Sequence, residues 1–132
     1  MTSDIAELVR TFEDHAIDAA NFRHADHVEV AHAMLATYDF MDATLRYARA
    51  IDAIATKAGA ASKFNTTITF AFMSLIAERM GTASHTDYAA FIADNQDLLS
   101  KDILSPWYSK ERLNCDLARR TFILPDTGSV QA

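Results

Sequence analysis

The chain of 132 residues is 50% hydrophobic and carries 12 Lys and Arg against 18 Asp and Glu, for a formal net charge of −6. That length and apolar share suffice for one domain with its own core, and the acidic balance argues against a surface that tracks nucleic-acid phosphates. No window approaches the roughly 18 apolar residues of a membrane span, and the lone Cys115 has no partner for a disulfide or a thiolate metal site, so a cytoplasmic protein is expected. The cations do not cluster along the sequence: the densest stretch, Lys110 to Arg120, is interrupted by Glu111 and Asp116 and reads as a solvated helix face.

Three glycines and two prolines leave long stretches of helix formers, which predicts an all-α fold: a single compact domain of five or six helices over the whole chain, with a tail that frays from about Asp126. Thr2, Ser3 or Asp4 caps a first helix whose Ile5, Leu8, Val9, Phe12 and Ala16 recur at helical spacing, ending near Ala19 or Ala20. A second helix runs from about His24 to Tyr38. A third follows an Asp39 cap and continues to Gly59, which stops it in the left-handed conformation. The fourth, Ser62 to Met80, is apolar almost all round through Phe64, Ile68, Phe70, Phe72, Met73, Leu75 and Ile76 and is therefore expected to be central. Ser84, with Asp87 three residues later, opens a short fifth helix holding Tyr88, Phe91 and Ile92. Pro106 then breaks the chain before Trp107 and Tyr108, Ser109 and Asn114 act as successive caps, and Cys115 is a half-buried small residue.

At steps of about 100°, His24, His27, Val28, Ala31, Met34, Leu35 and Tyr38 share one apolar sector of the second helix, so two histidines point inward. His32 lies on the margin, and His15 and His85 read as rim or surface residues. Two inward imidazoles are a candidate for acid/base chemistry or for divalent metal binding, because burial favours the neutral, metal-binding form. A metal needs a third ligand from elsewhere. Asn65, Thr66, Thr67 and Thr69, near the start of the fourth helix, are poor metal ligands and good neutral partners for imidazoles or a small polar ligand; equally, the threonines can bond their own helix backbone.

The stretches FRHADHVEVA, FNTTIT and WYSKERLNCDLARRTFILPD resemble, in order and spacing, a set of small bacterial helical proteins of unassigned function. Those proteins share an F-x-H-x-x-H segment, a later Y-H-E-T-[IL]-T segment and a closing Y-S-x-E-R-L with an Arg-rich helix and a Pro-Asp. The resemblance spans roughly residues 20 to 126 and implies a buried His-rich cluster that the middle segment completes with a histidine and a glutamate. Asn65 and Thr66 stand at those two positions, so His24 and His27 are retained while two strong ligands are replaced. Restoring them by Asn65→His with Thr66→Glu is expected to create a divalent-metal site. In the closing motif, Ser109 caps, Leu113 packs and Glu111 with Arg112 ties down the C-terminal segment; in a functional role, Tyr108 and Arg112 reach the mouth of the histidine pocket and hold an anionic or carbonyl group.

Two functions remain open at this point. In the first, the bundle binds or transforms a small, largely apolar molecule in a pocket walled by Tyr38, Phe64, Ile68 and Phe72. His24, His27, Asn65 and Thr69 make that pocket polar, and histidine acid/base chemistry, with or without a metal, acts on the ligand. In the second, the chain is a non-catalytic module that docks a partner or forms a homo-oligomer, with the histidines filling the core and part of Phe70, Met73 and Trp107 exposed. Neither nucleic acid nor membrane is expected as a partner.

Overall fold

The computed structural model describes residues 2–127, which form an all-α bundle of four long helices and three short ones. Helix α1, Thr2–Glu13, buries Phe12 completely and lays Leu8 and Val9 on the core. It ends well before the expected Ala19. His15 adopts φ 60°, its N–H bonding the Phe12 carbonyl while the Ala16 N–H reaches Thr11 O. This is the left-handed helix stop usually given to glycine. Ala16 continues the apolar spacing, which is why the sequence does not mark the end. Asp18 then caps a 3-10 turn at Ala19–Asn21.

Helix α2, His24–Thr37, starts where the Asp26 carboxylate accepts the Arg23 backbone N–H at 2.9 Å. Helix α3, Phe40–Lys57, is capped by Asp39, whose side chain accepts from Asp42 N–H, and stops at Gly59 with φ 77°. Helix α4, Thr66–Thr82, begins four residues later than its apolar pattern suggests, because Ala61–Lys63 forms a separate 3-10 turn and the Asn65 side chain caps by accepting from Ile68 N–H. It runs through Gly81 instead of stopping before it. Asp87, not Ser84, caps α5, Tyr88–Ala93. After a 3-10 turn at Gln96–Leu99 come α6, Lys110–Leu113, capped by Ser109, and α7, Asp116–Arg120. The cap of α7 is the Cys115 thiol, accepting from Ala118 N–H at 3.4 Å; Asn114 closes α6 instead.

Helices α2, α3 and α4 pack against one another and α1 lies across α2 and α3. The shared core holds Phe12, Val28, Met34, Tyr47, Phe72, Met73, Ile76, Phe91 and Leu98. Of Phe70, Met73 and Trp107, the three from which the docking alternative leaves some exposed, Trp107 is exposed while Met73 is fully buried, and a side chain of its size contributes about 1.5–3 kcal/mol by leaving water.

The start of α4 also holds the end of the chain. Thr67 Oγ1, fully buried, donates to Thr121 O at 2.7 Å and accepts from Ile123 N–H at 3.1 Å. Thr66 Oγ1 donates to Arg119 O and Asn65 Nδ2 to Leu113 O. Tyr108 Oη donates to Ile123 O, Arg112 Nε to Leu124 O, and the Asp126 carboxylate accepts from both Ser109 N–H and Ser109 Oγ. The tail is therefore pinned at Asp126 and Thr127, where fraying was expected to begin; positions 128–132 lie outside the described residues. Among the described residues no helix is long and apolar enough to cross a membrane.

Candidate functional site

A cleft of about 940 Å³ opens where the first turns of α2 and α4 meet the middle of α3, with residues 101–113 as a further wall. Its apolar lining is Phe22, Ile51, Phe64, Ile68, Phe72, Ile103, Leu104 and Leu113; its polar lining includes His24, His27, Asn65, Thr69 and Tyr108. The volume falls within the ~300–1,000 Å³ usual for small-molecule pockets.

Both histidines are partly buried, and each ring is engaged by a group other than those expected. His24 Nε2 lies 2.9 Å from Leu98 O. A carbonyl only accepts, so Nε2 carries a proton and donates it, while Nδ1 has no hydrogen-bond partner among the described residues. His27 Nδ1 lies 3.1 Å from the Tyr47 hydroxyl, and its ring sits 4.3 Å from that of Phe22. Burial and then the neighbouring His24 push the His27 pKa down from 6.5 to about 4, against smaller opposing effects of Asp26 and a backbone hydrogen bond to Phe22. Burial pushes the Tyr47 phenol up, so Tyr47 keeps its proton and donates it to the neutral imidazole. A base works best with a pKa near the working pH, so His27 is suited to hydrogen bonding and ill suited to taking a proton near neutrality.

The remaining candidates divide. Thr69 and Phe72 line the cleft, but the Thr69 hydroxyl donates to Asn65 O within its own helix. Asn65 and Tyr108 line it while their polar groups serve the helix cap and the C-terminal segment. Tyr38, Thr66 and Arg112 are not part of the lining. Tyr38 Oη donates to Glu13 and its ring lies under the Arg46 guanidinium at 4.2 Å; Thr66 and Arg112 are spent on the carbonyls of Arg119 and Leu124. Of the expected interior polar residues, Asn65 is thus a helix cap and Thr66 and Thr67 a clasp, because the helix starts later than its pattern, while Thr69 bonds its own helix backbone.

The donor set does not suit a metal. Among the described residues no three His, Cys, Asp or Glu side chains gather as ligands, and the two histidines alone fall short of a divalent site.

Three features are not marked in the sequence. Tyr47, the partner of His27, falls at helical spacing with Ala43, Ala50 and Ile54, which reads only as a core face. His32 and His85 converge on Phe91, at ring distances of 4.7 Å and 5.6 Å, with His85 Nε2 2.9 Å from Asp94. Burial and then His85 lower the His32 pKa. Finally, Arg23, Lys63, Lys101 and Lys110, far apart in the sequence, all border the cleft. No family model, curated protein or solved structure matches the chain.

Proposed function

We propose that the cleft binds a small, largely apolar molecule, held against Phe22, Phe64 and Phe72, with the histidines supplying hydrogen bonds. The observation that carries this reading is the coexistence of apolar walls with two imidazoles, that of His27 held neutral by burial, in one concave opening of ligand size. A chemical step, on this reading, falls to His24, whose Nδ1 has no hydrogen-bond partner among the described residues. The same reading keeps the chain with the small bacterial proteins of the F-x-H-x-x-H pattern and in the cytoplasm, on the order of its motifs and its single cysteine.

The test is a titration with decan-1-ol followed by amide chemical shifts. Saturable shifts confined to Phe22, Thr69, Phe72 and Ile103 are expected; shifts that never saturate, or that scatter over the surface, overturn the reading. His27→Ala should weaken binding more than it lowers stability. Leu35→Ala, which thins the core beside α2, should do the reverse, at a cost toward the lower end of ~2–5 kcal/mol.

A second reading rests on a different observation. Leu117, Phe122 and Leu124 are 50%, 47% and 68% exposed near the end of the chain, and Phe40, Met41 and Leu45 are exposed at the start of α3. Apolar surface of this kind suits a module that docks a partner or a second copy. Sedimentation that shows a concentration-dependent dimer, abolished by Phe122→Ser with Leu124→Ser, would favour it.

A further inference from the structure

Four cations, Arg23, Lys63, Lys101 and Lys110, border the cleft, and Asp102 is the one carboxylate in its lining. Three of the chain's four lysines are there, in a protein of net charge −6. All four residues are exposed, and among the described residues none of their side chains enters an ion pair; the pairs that form use Arg46, Arg79, Arg119, Arg120 and His85. Gathering like charges without partners is unfavourable in the empty protein, and the field they make is focused by the low-dielectric walls of a cleft. Most of the remaining lining is aromatic and aliphatic, including Phe22, Ile51, Phe64, Ile68, Phe72 and Leu104.

We propose that the occupant of the cleft is an amphipathic monoanion, a medium-chain carboxylate whose apolar body lies on Phe22, Phe64 and Phe72 while its head meets Arg23, Lys63, Lys101 and Lys110 at the rim. The proposal rests on the ligand-binding reading above and names its ligand class. It moves the anion-holding role expected of Arg112, which is committed to Leu124 O, to four residues that no sequence motif connects. A phosphate head is disfavoured. The helix N-termini that border the cleft are already capped by Asp26 and Asn65, which occupies positions where a phosphate would bind backbone amides. Asp102 also counts against a doubly charged head.

Calorimetric titration of the full chain with decanoate, decan-1-ol, decyl phosphate and decyltrimethylammonium separates the possibilities. At low ionic strength decanoate should bind about tenfold more tightly than decan-1-ol, the scale of three or four exposed charge contacts, and the advantage should shrink as salt is added. In the variant Lys63→Gln, Lys101→Gln, Lys110→Gln, which leaves Arg23 alone, most of the advantage of decanoate over decan-1-ol should be lost. Equal binding of decanoate and decan-1-ol to the wild type overturns the anionic ligand and leaves the apolar cleft standing. Binding of neither overturns both. Tighter binding of decyl phosphate or decyltrimethylammonium, or a decanoate advantage that survives the triple variant undiminished, overturns the carboxylate or the role of the rim. The salt series uses the wild type alone, so the proposal remains testable should the variant lose its fold.

Discussion

The His27–Tyr47 pair makes stability depend on pH in a window that belongs to histidine. In the fold His27 stays neutral down to about pH 4, whereas in the unfolded chain it takes a proton near 6.5. Between those values the unfolded state binds more protons, so stability rises with pH there; its contribution is complete above 6.5 and is lost as the pH falls toward 4. The depression corresponds to about 3 kcal/mol. His32, also lowered, adds a change of the same sign. Asp97, Asp116 and Asp126, held below the usual carboxylate value of 3.8 chiefly by hydrogen bonds from Arg79, Arg120 and Ser109 respectively, act only at lower pH. The perturbation is His27→Leu, which removes the titrating group and deprives the buried Tyr47 hydroxyl of its acceptor, at a cost of about 1–3 kcal/mol near neutrality. Urea unfolding followed by far-UV circular dichroism at pH 7.5 and pH 4.5 should show the wild type more stable at the higher pH and the two proteins converging at the lower. Parallel pH profiles, with the wild-type advantage undiminished at pH 4.5, would refute the neutral buried imidazole.

His15→Gly should raise the stability by roughly 1 kcal/mol, since φ 60° costs a side-chain-bearing residue energy that glycine avoids; a drop in the denaturation midpoint would show that His15 has contacts worth more than its strain. Thr44, buried in α3 with no hydrogen-bond partner for Oγ1 among the described residues, should tolerate Thr44→Val with a gain of about 1 kcal/mol, and a loss in thermal melting would place an acceptor there. Asn65→His with Thr66→Glu should lower stability by about 1–2 kcal/mol and should not build the zinc site that the motif implies, because it deletes the α4 cap and the Thr66 clasp; tight zinc binding by calorimetry would contradict this.

Much of the fold was legible because it rests on local chemistry. Asp39, Gly59 and Ser109 stop or start helices through their own side chain or backbone freedom, and the sequence marks them. Errors arose where a neighbour overrode the pattern. His15 took a glycine's conformation, Cys115 took a cap that Asn114 was expected to supply, and Asn65 ended up outside the helix whose apolar period includes it. At the site, the helical spacing of His24 and His27 brought both to the cleft, since a single helix carries them. Tyr38 shares their apolar sector and yet turns to Glu13, since the α1 carboxylate and Arg46 compete for it. The cationic rim was invisible for a simpler reason: residues 23, 63, 101 and 110 become neighbours only through tertiary packing.

The clasp at Thr67 has a consequence for synthesis. A chain emerging from the ribosome at ~5–20 residues per second exposes its early helices before its last turns exist. The Thr67 hydroxyl bonds positions 54 and 56 residues downstream, so nascent α4 can stack on α2 and α3 yet keeps this polar group waiting until Ile123 has cleared the exit tunnel. During that interval the apolar surface that the closing segment covers is open to chaperones. The bundle is thus completed only after Ile123 has been made, and a stall before Ile123 would release a chain that has collapsed without locking.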